Sequence, residues 1–346
     1  MPKINLIDCR QLFELRNEVP LVDVRSESEF SSGHIPGAAN IPLLRDEDRK
    51  IVGTDYKQRG RAEAIRSGFR LVGPRLSDMV DQAIAMAERK ELVIHCWRGG
   101  MRSSNFAQFV GMAGIDSWVL SGGYKSYRQE AQHYFQKPFQ LILLSGSTGS
   151  GKSEVLRALH EKGEQILDLE KLANHKGSAF GGLMMPPQPT TEQFENLLFE
   201  EIRTLNVEKP VWVEDESIAV GRVFIPSSFW TTMRRSPVVM LNLDKSVRIQ
   251  RLVDEYGPAD RDEFLEAMTK ITKKLGGQHF KTAKEKLEQD QMPEVMEILL
   301  TYYDKAYTTS MQRRNPENRG TVDWDGKNAN RAAEDLIQLS KQTTSY

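Results

Sequence analysis

The run Gly146-Ser147-Thr148-Gly149-Ser150-Gly151-Lys152-Ser153 constrains this chain more than any other, because it dictates its own conformation and that of its neighbours. It matches G-x-x-x-x-G-K-[ST] in full, a pattern that has a mechanism only between a buried strand and a helix. Both flanks comply. Leu141-Ile142-Leu143-Leu144 reads as the strand and Glu154 to Glu161 as the helix. The glycines let backbone N–H groups wrap a diphosphate at a helix N-terminus, Lys152 adds a point charge, and Ser153 comes within reach of a Mg²⁺. No resident metal site is assigned, and the loop does not state which diphosphate it holds.

The stretches that follow continue in kind. Gln165-Ile166-Leu167-Asp168-Leu169, Pro210 to Glu216 and Val238 to Leu243 read as further strands, the last leading into a helix from Ser246 to Tyr256. That alternation predicts an α/β fold with a parallel sheet and crossover connections. Glu214 and Asp215 end the third strand, where a carboxylate can orient a metal; the other reading is that one caps a helix or pairs with Arg222. Asn174 to Pro187 holds too many glycines and prolines for a regular helix, so it is a loop with an apolar tip. It lines an organic pocket or packs as a lid on its own domain, and His175 reads as a hydrogen-bonded loop residue. From Asp260 to Arg314 a long helical stretch mixes Lys270, Lys273, Lys274, Lys281, Lys284 and Lys286 with Glu263, Glu266, Glu285 and Glu288, the pattern of a solvated face. Thr321 to Trp324 and Asn330 to Leu339 read as a last strand and helix.

Nearer the N-terminus lies a second strand-to-helix turn, His95-Cys96-Trp97-Arg98-Gly99-Gly100-Met101-Arg102-Ser103. Glu91-Leu92-Val93-Ile94 reads as a buried strand before it, and Ser104 to Met112 as a helix after it. Main-chain N–H groups at such a turn, with the Arg102 guanidinium, would make a positive hollow beneath the Cys96 sulfur. A free cysteine titrates near ~8.5, and helix N-termini or cations lower that by several units. The competing reading, a buried cysteine acting as a small hydrophobe, fits polar, glycine-rich surroundings less well.

At 346 residues two domains are expected, divided as 1–135 and 136–346. Hydrophobic residues at 39% and charged ones at 27% describe an ordinary soluble chain. Cys9 and Cys96 lie too far apart to suggest a disulfide framework or zinc site, so a reducing cytoplasm is expected. No apolar run approaches membrane-spanning length, and Met1-Pro2-Lys3-Ile4-Asn5 lacks the apolar core of a signal peptide, so neither membrane insertion nor export is expected. A net charge of -1 gives no global pull toward nucleic acid; RNA contacts would have to come from local patches.

Residues 6 to 16 read as a short helix, and Pro20-Leu21-Val22-Asp23-Val24-Arg25 as a buried strand ending in an Asp/Arg pair. Then comes Glu29-Phe30-Ser31-Ser32-Gly33-His34-Ile35-Pro36-Gly37-Ala38-Ala39-Asn40-Ile41-Pro42, punctuated by tight turns. Together with Val93-Ile94-His95-Cys96, these pieces resemble a rhodanese domain over the first third of the chain. The resemblance implies a loop cysteine that carries sulfur or selenium. One departure is the C-x5-R spacing of Cys96 and Arg102, a residue longer than the usual sulfurtransferase loop. It resembles the loop of rhodanese-fold dual-specificity phosphatases and argues for a phosphate-like ligand. An insertion from Arg45 to Arg75 carries Lys57, Arg59, Arg61, Arg66, Arg70 and Arg75 against Asp55 and Glu63, so it either tracks an RNA backbone or is a solvated helix face. Trp118-Val119-Leu120 and Ser121-Gly122-Gly123-Tyr124 read as the last strand and closing turn of the domain, before a linker around Gln132 to Gln140.

A rhodanese domain with this loop, joined to a phosphate-loop domain containing L-E-K-L-A-x-H-K-G-S-A-F-G at 169–181, resembles the family of bacterial tRNA 2-selenouridine synthases over essentially the whole chain. Val52-Gly53-Thr54-Asp55-Tyr56-Lys57 supports the same resemblance. It implies action on tRNA carrying 2-thiouridine at the wobble position, with geranyl diphosphate and selenophosphate as co-substrates and a selenophosphate-supplying enzyme as partner. On that reading the phosphate loop Gly146 to Ser153 holds the geranyl diphosphate, and Cys96 takes or delivers selenium. Arg98, Gly99, Gly100, Arg102 and Ser103 would hold selenophosphate, and Trp97 would stack on the uridine or else belong to the core. Two other classes stay open: a nucleotide-dependent kinase or NTPase with an accessory rhodanese module, and a C-x5-R phosphatase.

Overall fold

The computed structural model describes residues 2–314 and 317–342; residues 1, 315–316 and 343–346, which the two expected domains include, lie outside the described residues. The chain divides into two compact units, Met1–Tyr134 and Phe135–Tyr346. In the first, β1 (Ile4–Ile7), β2 (Leu21–Asp23), β3 (Ala39–Asn40), β4 (Glu91–His95) and β5 (Asp116–Leu120) pair in parallel in the order β1-β5-β4-β2-β3. β4 sits in the middle, and Leu92, Val93 and Ile94 have no exposed surface, so the strand is an apolar run rather than an alternation. The helix Met101–Met112 covers it with Phe106, Ala107 and Val110.

The helix expected over residues 6 to 16 forms as Cys9–Leu15, starting later than expected. Ile4 to Ile7 form the edge strand β1, and Asp8 accepts the Gln11 N–H at 2.9 Å, starting the helix Cys9–Leu15 with a capping box. The insertion is a hairpin of two helices, Asp46–Arg59 and Arg61–Val72, joined at Gly60, whose φ of +86° suits glycine. Inside it the Ser67 hydroxyl donates to the buried Asp55 carboxylate at 2.6 Å. Ser121 and Gly122 form the expected turn, the helix Gly123–Tyr134 runs into the start of the expected linker, and residues 135–139 remain as the connection to the next strand.

In the second unit the strands are β6 (Gln140–Ser145), β7 (Gln165–Leu167), β8 (Pro210–Glu214), β9 (Ala219–Val220), β10 (Val223–Phe224), β11 (Val238–Asn242) and β12 (Asn318–Asp323). Five form a parallel sheet, β12-β11-β6-β8-β7, and β9 and β10 form a small antiparallel pair. β6 is central. Leu144 lies level with Glu214, and Ser145 with Met240, so the phosphate loop leaves the sheet at its carboxyl edge, where such sheets bind ligands. The stretch from Asp260 to Arg314 is four helices rather than one: Arg261–Thr269, Thr272–Leu275, Gly277–Glu288 and Met292–Arg314. Nor is it simply a solvated face, because Phe264, Met268, Leu275, Leu287, Val295 and Leu300 form a core beneath its outward lysines. Among the described residues no helix is long and apolar enough to cross a membrane.

A buried ion pair locks the first unit. Arg25, 1% exposed, donates to both Asp23 carboxylate oxygens through Nε, and through Nη2 to Asp23 at 2.7 Å and the Gly33 carbonyl at 2.7 Å. Its guanidinium lies 3.9 Å from the centroid of Tyr124. These contacts join the end of β2, the Gly33 turn and the start of the helix Gly123–Tyr134. Arg25→Ala leaves Asp23 buried without its countercharge and should cost ~3–5 kcal/mol. Chemical denaturation of the full chain measures this; a loss under about 1 kcal/mol would show that the pair is not a lock.

Candidate functional site

Cys96 follows β4 directly and is 3% exposed. Its sulfur stands 3.3 Å from the Ser103 hydroxyl and accepts the Gly100 N–H at 3.4 Å. Burial by itself pushes the thiol up, but the Ser103 hydroxyl and the N–H groups of Ser103, Arg98 and Gly100 outweigh it, and the pKa is lowered. Two further hydrogen bonds hold the turn from behind. Tyr124 N–H donates to the Cys96 carbonyl at 2.8 Å and Lys125 N–H to that of Trp97 at 2.9 Å. This close approach requires Gly123, at φ +60°, since a Cβ there would lie 2.3 Å from the Cys96 carbonyl oxygen. Cys9 differs: burial pushes its thiol up, against the effect of its hydrogen bond to the Ser126 hydroxyl.

Arg102 is not the free cation the sequence reading places under the sulfur. Its Nη1 lies 2.6 Å and its Nη2 3.3 Å from the two Glu29 oxygens, and Arg49 from the insertion reaches the same carboxylate at 3.2 Å. The hollow therefore relies on backbone N–H groups and Ser103 for its immediate polarity. Gly99 packs against the Leu120 carbonyl and the Gly122 amide, which excludes any side chain, while the Arg98 side chain points outward and is exposed. Trp97 is half-buried, its ring 5.7 Å from Tyr124. Lys57, Arg59, Arg61, Arg66 and Arg70 are all exposed on the hairpin. The insertion holds more opposing charge than the sequence reading allows it, since Asp48 pairs with Arg75.

The phosphate loop runs from β6 into the helix Lys152–Glu161. Gly149 and Gly151 have φ of +79° and +78°, and a Cβ at Gly151 would meet the Trp324 ring at 2.4 Å. Trp324 Nε1 donates to the Ser150 carbonyl at 3.0 Å, and Arg248, itself paired with Asp304 at 2.8 Å, donates to the Thr148 carbonyl at 3.1 Å. Lys152 Nζ lies folded onto the Gly146 carbonyl at 3.1 Å, and Ser153 donates to Glu170 at 2.8 Å. Gly146, Thr148 to Ser153 and Glu154 line a cleft of about 920 Å³; Ser147 is not in its lining. Tyr256, Tyr303, Tyr307, Leu252, Met185 and Pro186 give it an organic wall.

Both readings of the 174–187 loop hold in part. Met185 and Pro186 line the cleft, whereas Phe180 and Leu183 are buried in the helical core. His175 is half-buried, and desolvation alone lowers its pKa. The two strand-end acids separate. Glu214, fully buried, caps the helix Leu169–Ala173 by accepting the Leu169 N–H at 2.7 Å, and burial holds its pKa far up. Asp215 faces the cleft and accepts from the Ser145 hydroxyl at 2.7 Å. The sequence reading missed Glu170 and Glu216, which stand together beside Gly177 in the cleft wall. Burial and the neighbouring Glu170 push Glu216 up to about 8. The only sequence cue was Glu170 within the 169–181 text.

Residues 139–325 match the family model described as tRNA 2-selenouridine synthase AAA domain, and residues 5–130 match that of the rhodanese-like domain. The chain is 33% identical to the tRNA 2-selenouridine synthase of Nitrosomonas europaea, across 92% of this chain and 96% of that one. It is 34% identical to the tRNA 2-selenouridine synthase of Bdellovibrio bacteriovorus, across 88% and 92% respectively. This chain belongs to the tRNA 2-selenouridine synthase family. Among solved structures, the N-terminal domain of a putative ATP/GTP binding protein from Clostridium difficile 630 is 37% identical, covering 36% of this chain and 98% of that one, with a TM-score of 0.34. As a member of the tRNA 2-selenouridine synthase family the chain is an enzyme, and it carries the rhodanese-like and phosphate-loop halves expected of it.

Two pH-dependent outcomes follow for this tRNA 2-selenouridine synthase family member. Iodoacetamide labelling read by peptide mass spectrometry should give Cys96 a half-maximal rate below the ~8.5 of a free cysteine. Cys9 should need a higher pH, and Ser103→Ala should move the Cys96 profile upward; a Cys96 profile at or above that of Cys9 would contradict the hydrogen-bond account. For Glu216, the folded chain keeps a proton until about pH 8 that the unfolded chain releases near ~4.3. Stability should therefore fall as pH rises through that window, and Glu216→Gln should flatten the fall in urea titrations. An unchanged slope in the variant would place the effect elsewhere.

Proposed function

We propose that the chain converts wobble 2-thiouridine of tRNA to 2-selenouridine in two steps, S-geranylation by geranyl diphosphate and replacement of the S-geranyl group by selenium from selenophosphate. The reading is supported by family membership and carried by one observation: a single chain holds two unlike anion sites, a thiol loop and a phosphate loop with an organic wall. A thiocarbonyl carbon resists displacement, and alkylating its sulfur creates both an electrophilic C2 and a leaving group. In the first step the sulfur bonds to C1 of the geranyl group as the C1–oxygen bond breaks, pyrophosphate leaves with the electron pair, and the uridine loses its N3 proton. Loop N–H groups and Lys152 stabilise the charge that grows on the pyrophosphate. A Mg²⁺ accompanying the diphosphate would be held by Ser153 and Glu170, and would neutralise part of the same charge.

In the second step selenium bonds to C2, the C2–sulfur bond breaks, geranyl thiol departs, and water cleaves the phosphorus–selenium bond to inorganic phosphate. Selenium enters at the oxidation level it has in selenophosphate, so no oxidant is consumed. Cys96 acts at C2, where its thiolate displaces geranyl thiol and is in turn displaced by selenium, so no sulfur–selenium bond forms; the N–H groups of the loop, with Arg102 set by Glu29, hold the phosphate. Trp97 presents a face on which the uridine could stack. A selenophosphate-supplying enzyme is the partner this scheme requires, and tRNA is the substrate.

Nucleoside mass spectrometry on a 2-thiouridine anticodon stem-loop tests the division of labour. Geranyl diphosphate alone should give the S-geranyl product, and only both donors together should give 2-selenouridine. Cys96→Ala should retain S-geranylation and lose more than ~100-fold of selenium transfer, the scale of removing a nucleophile. Lys152→Ala should lose S-geranylation. A Cys96→Ala variant deficient in both steps, or a Lys152→Ala variant fully active in the first, would overturn the assignment.

A further inference from the structure

Three apolar side chains stand out on the inserted hairpin because they are where solvent should exclude them. Ile51 is 48% exposed, Tyr56 61% and Phe69 62%, on helices that otherwise turn only Asp55, Ala64, Ser67 and Val72 fully inward. Exposed large apolar groups gathered on one element, ringed by charge, mark a binding surface more than a folding need. The ring here is basic. Lys57, Arg59, Arg61, Arg66 and Arg70 are exposed against Asp55 and Glu63, an excess of three positive charges. Their ion pairs are loose: Arg59 to Asp55 at 3.5 Å, and Arg66 and Arg70 sharing Glu63 at 3.5 and 3.6 Å.

We infer that this hairpin is a docking surface for tRNA, its cations on backbone phosphates and Tyr56 and Phe69 as platforms for unpaired bases. The inference rests on the tRNA reading above and adds where the RNA is held. Spacing favours it. Arg66 precedes Phe69 by three residues, one turn along the same helix face, and Arg59 follows Tyr56 by three, so each ring has a guanidinium beside it. A phosphate and its base lie a few ångströms apart along a single strand, and the pairing of ring with guanidinium matches that repeat. Both rings are open to solvent, Tyr56 and Phe69 each keeping more than half of their surface exposed. A protein partner would use the apolar groups but leave most of five cations without acceptors.

The root of the hairpin is tied to the thiol loop. Asp46 accepts from the Ser28 hydroxyl at 2.5 Å, and its N–H donates to Glu27 at 3.1 Å. Three residues on, Arg49 holds the Glu29 carboxylate that also grips Arg102. RNA bound along the hairpin is thus led toward the Cys96 side of this unit rather than away from it. Glu29 is a positioning residue between the two.

Fluorescence anisotropy with a labelled 2-thiouridine anticodon stem-loop and the full chain tests this. The double variant Arg66→Ala/Arg70→Ala should weaken binding ~10-fold at low salt and reduce the slope of log affinity against log salt by ~1–2. Tyr56→Ala/Phe69→Ala should weaken binding ~10-fold or more with the slope unchanged. All four side chains are solvent-facing, so thermal unfolding should match wild type. Affinities within twofold of wild type in both variants would overturn the inference and give the exposed rings to a protein partner. Nucleoside analysis of wild type, run in parallel, separates the two readings. Product formation with unaltered variant affinities sinks only the docking surface, whereas weakened variant binding without any wild-type product sinks only the selenation reading.

Discussion

A backbone N–H can serve an anion only when no other acceptor claims it, and a parallel strand that ends in a glycine-rich turn before a helix leaves such groups in hand. Both units depend on that constraint. After β4 the N–H of Gly100 is directed at the Cys96 sulfur, and after β6 the loop from Gly146 to Ser153 opens on the cleft. In neither place does the turn hold its own shape. The first is gripped from behind by the N–H groups of Tyr124 and Lys125, the second by Trp324 and Arg248 from later elements. The price is paid in side chains: Gly99, Gly123 and Gly151 each sit where a Cβ would overlap an atom already placed.

Charge is distributed differently in the two sites. Around Cys96 the Arg102 guanidinium is held by Glu29, which it shares with Arg49, and hydrogen-bonding dipoles favour the thiolate. In the cleft, Lys152, Glu170, Asp215 and Glu216 are brought together, and burial beside Glu170 holds the Glu216 carboxyl well above the usual carboxylate range. An incoming diphosphate would draw Lys152 away from the Gly146 carbonyl. An anion at the thiol loop would instead meet an Arg102 guanidinium already held by Glu29.

Local chemistry was legible in the sequence, and long-range chemistry was not. Gly146 to Ser153 and the Cys96 turn carry their geometry within a few residues, so their type and spacing announced it. Arg102 was read as facing the sulfur because nothing in its neighbourhood shows that Glu29, 73 residues away, would take it. Glu170 comes from the helix Leu169–Ala173 and Glu216 from the loop after β8, and a lone carboxylate gives no pattern to read. The helix reading of residues 6 to 16 takes in Leu6 and Ile7 of β1, because a four-residue edge strand is short and its partner β5 lies over a hundred residues on. The helix Gly123–Tyr134 was hidden by its two leading glycines, which read as a turn and are needed as one.

Trp324 follows β12, the edge strand added last to the second sheet, yet its indole closes over Gly151 and binds the Ser150 carbonyl. A growing polypeptide on the ribosome displays the full phosphate-loop motif long before residue 324 has been made. Until then the motif lacks its outer wall, and the Ser150 carbonyl lacks the indole N–H that it accepts in the finished fold. Synthesis of the motif and completion of its wall are therefore separated in time.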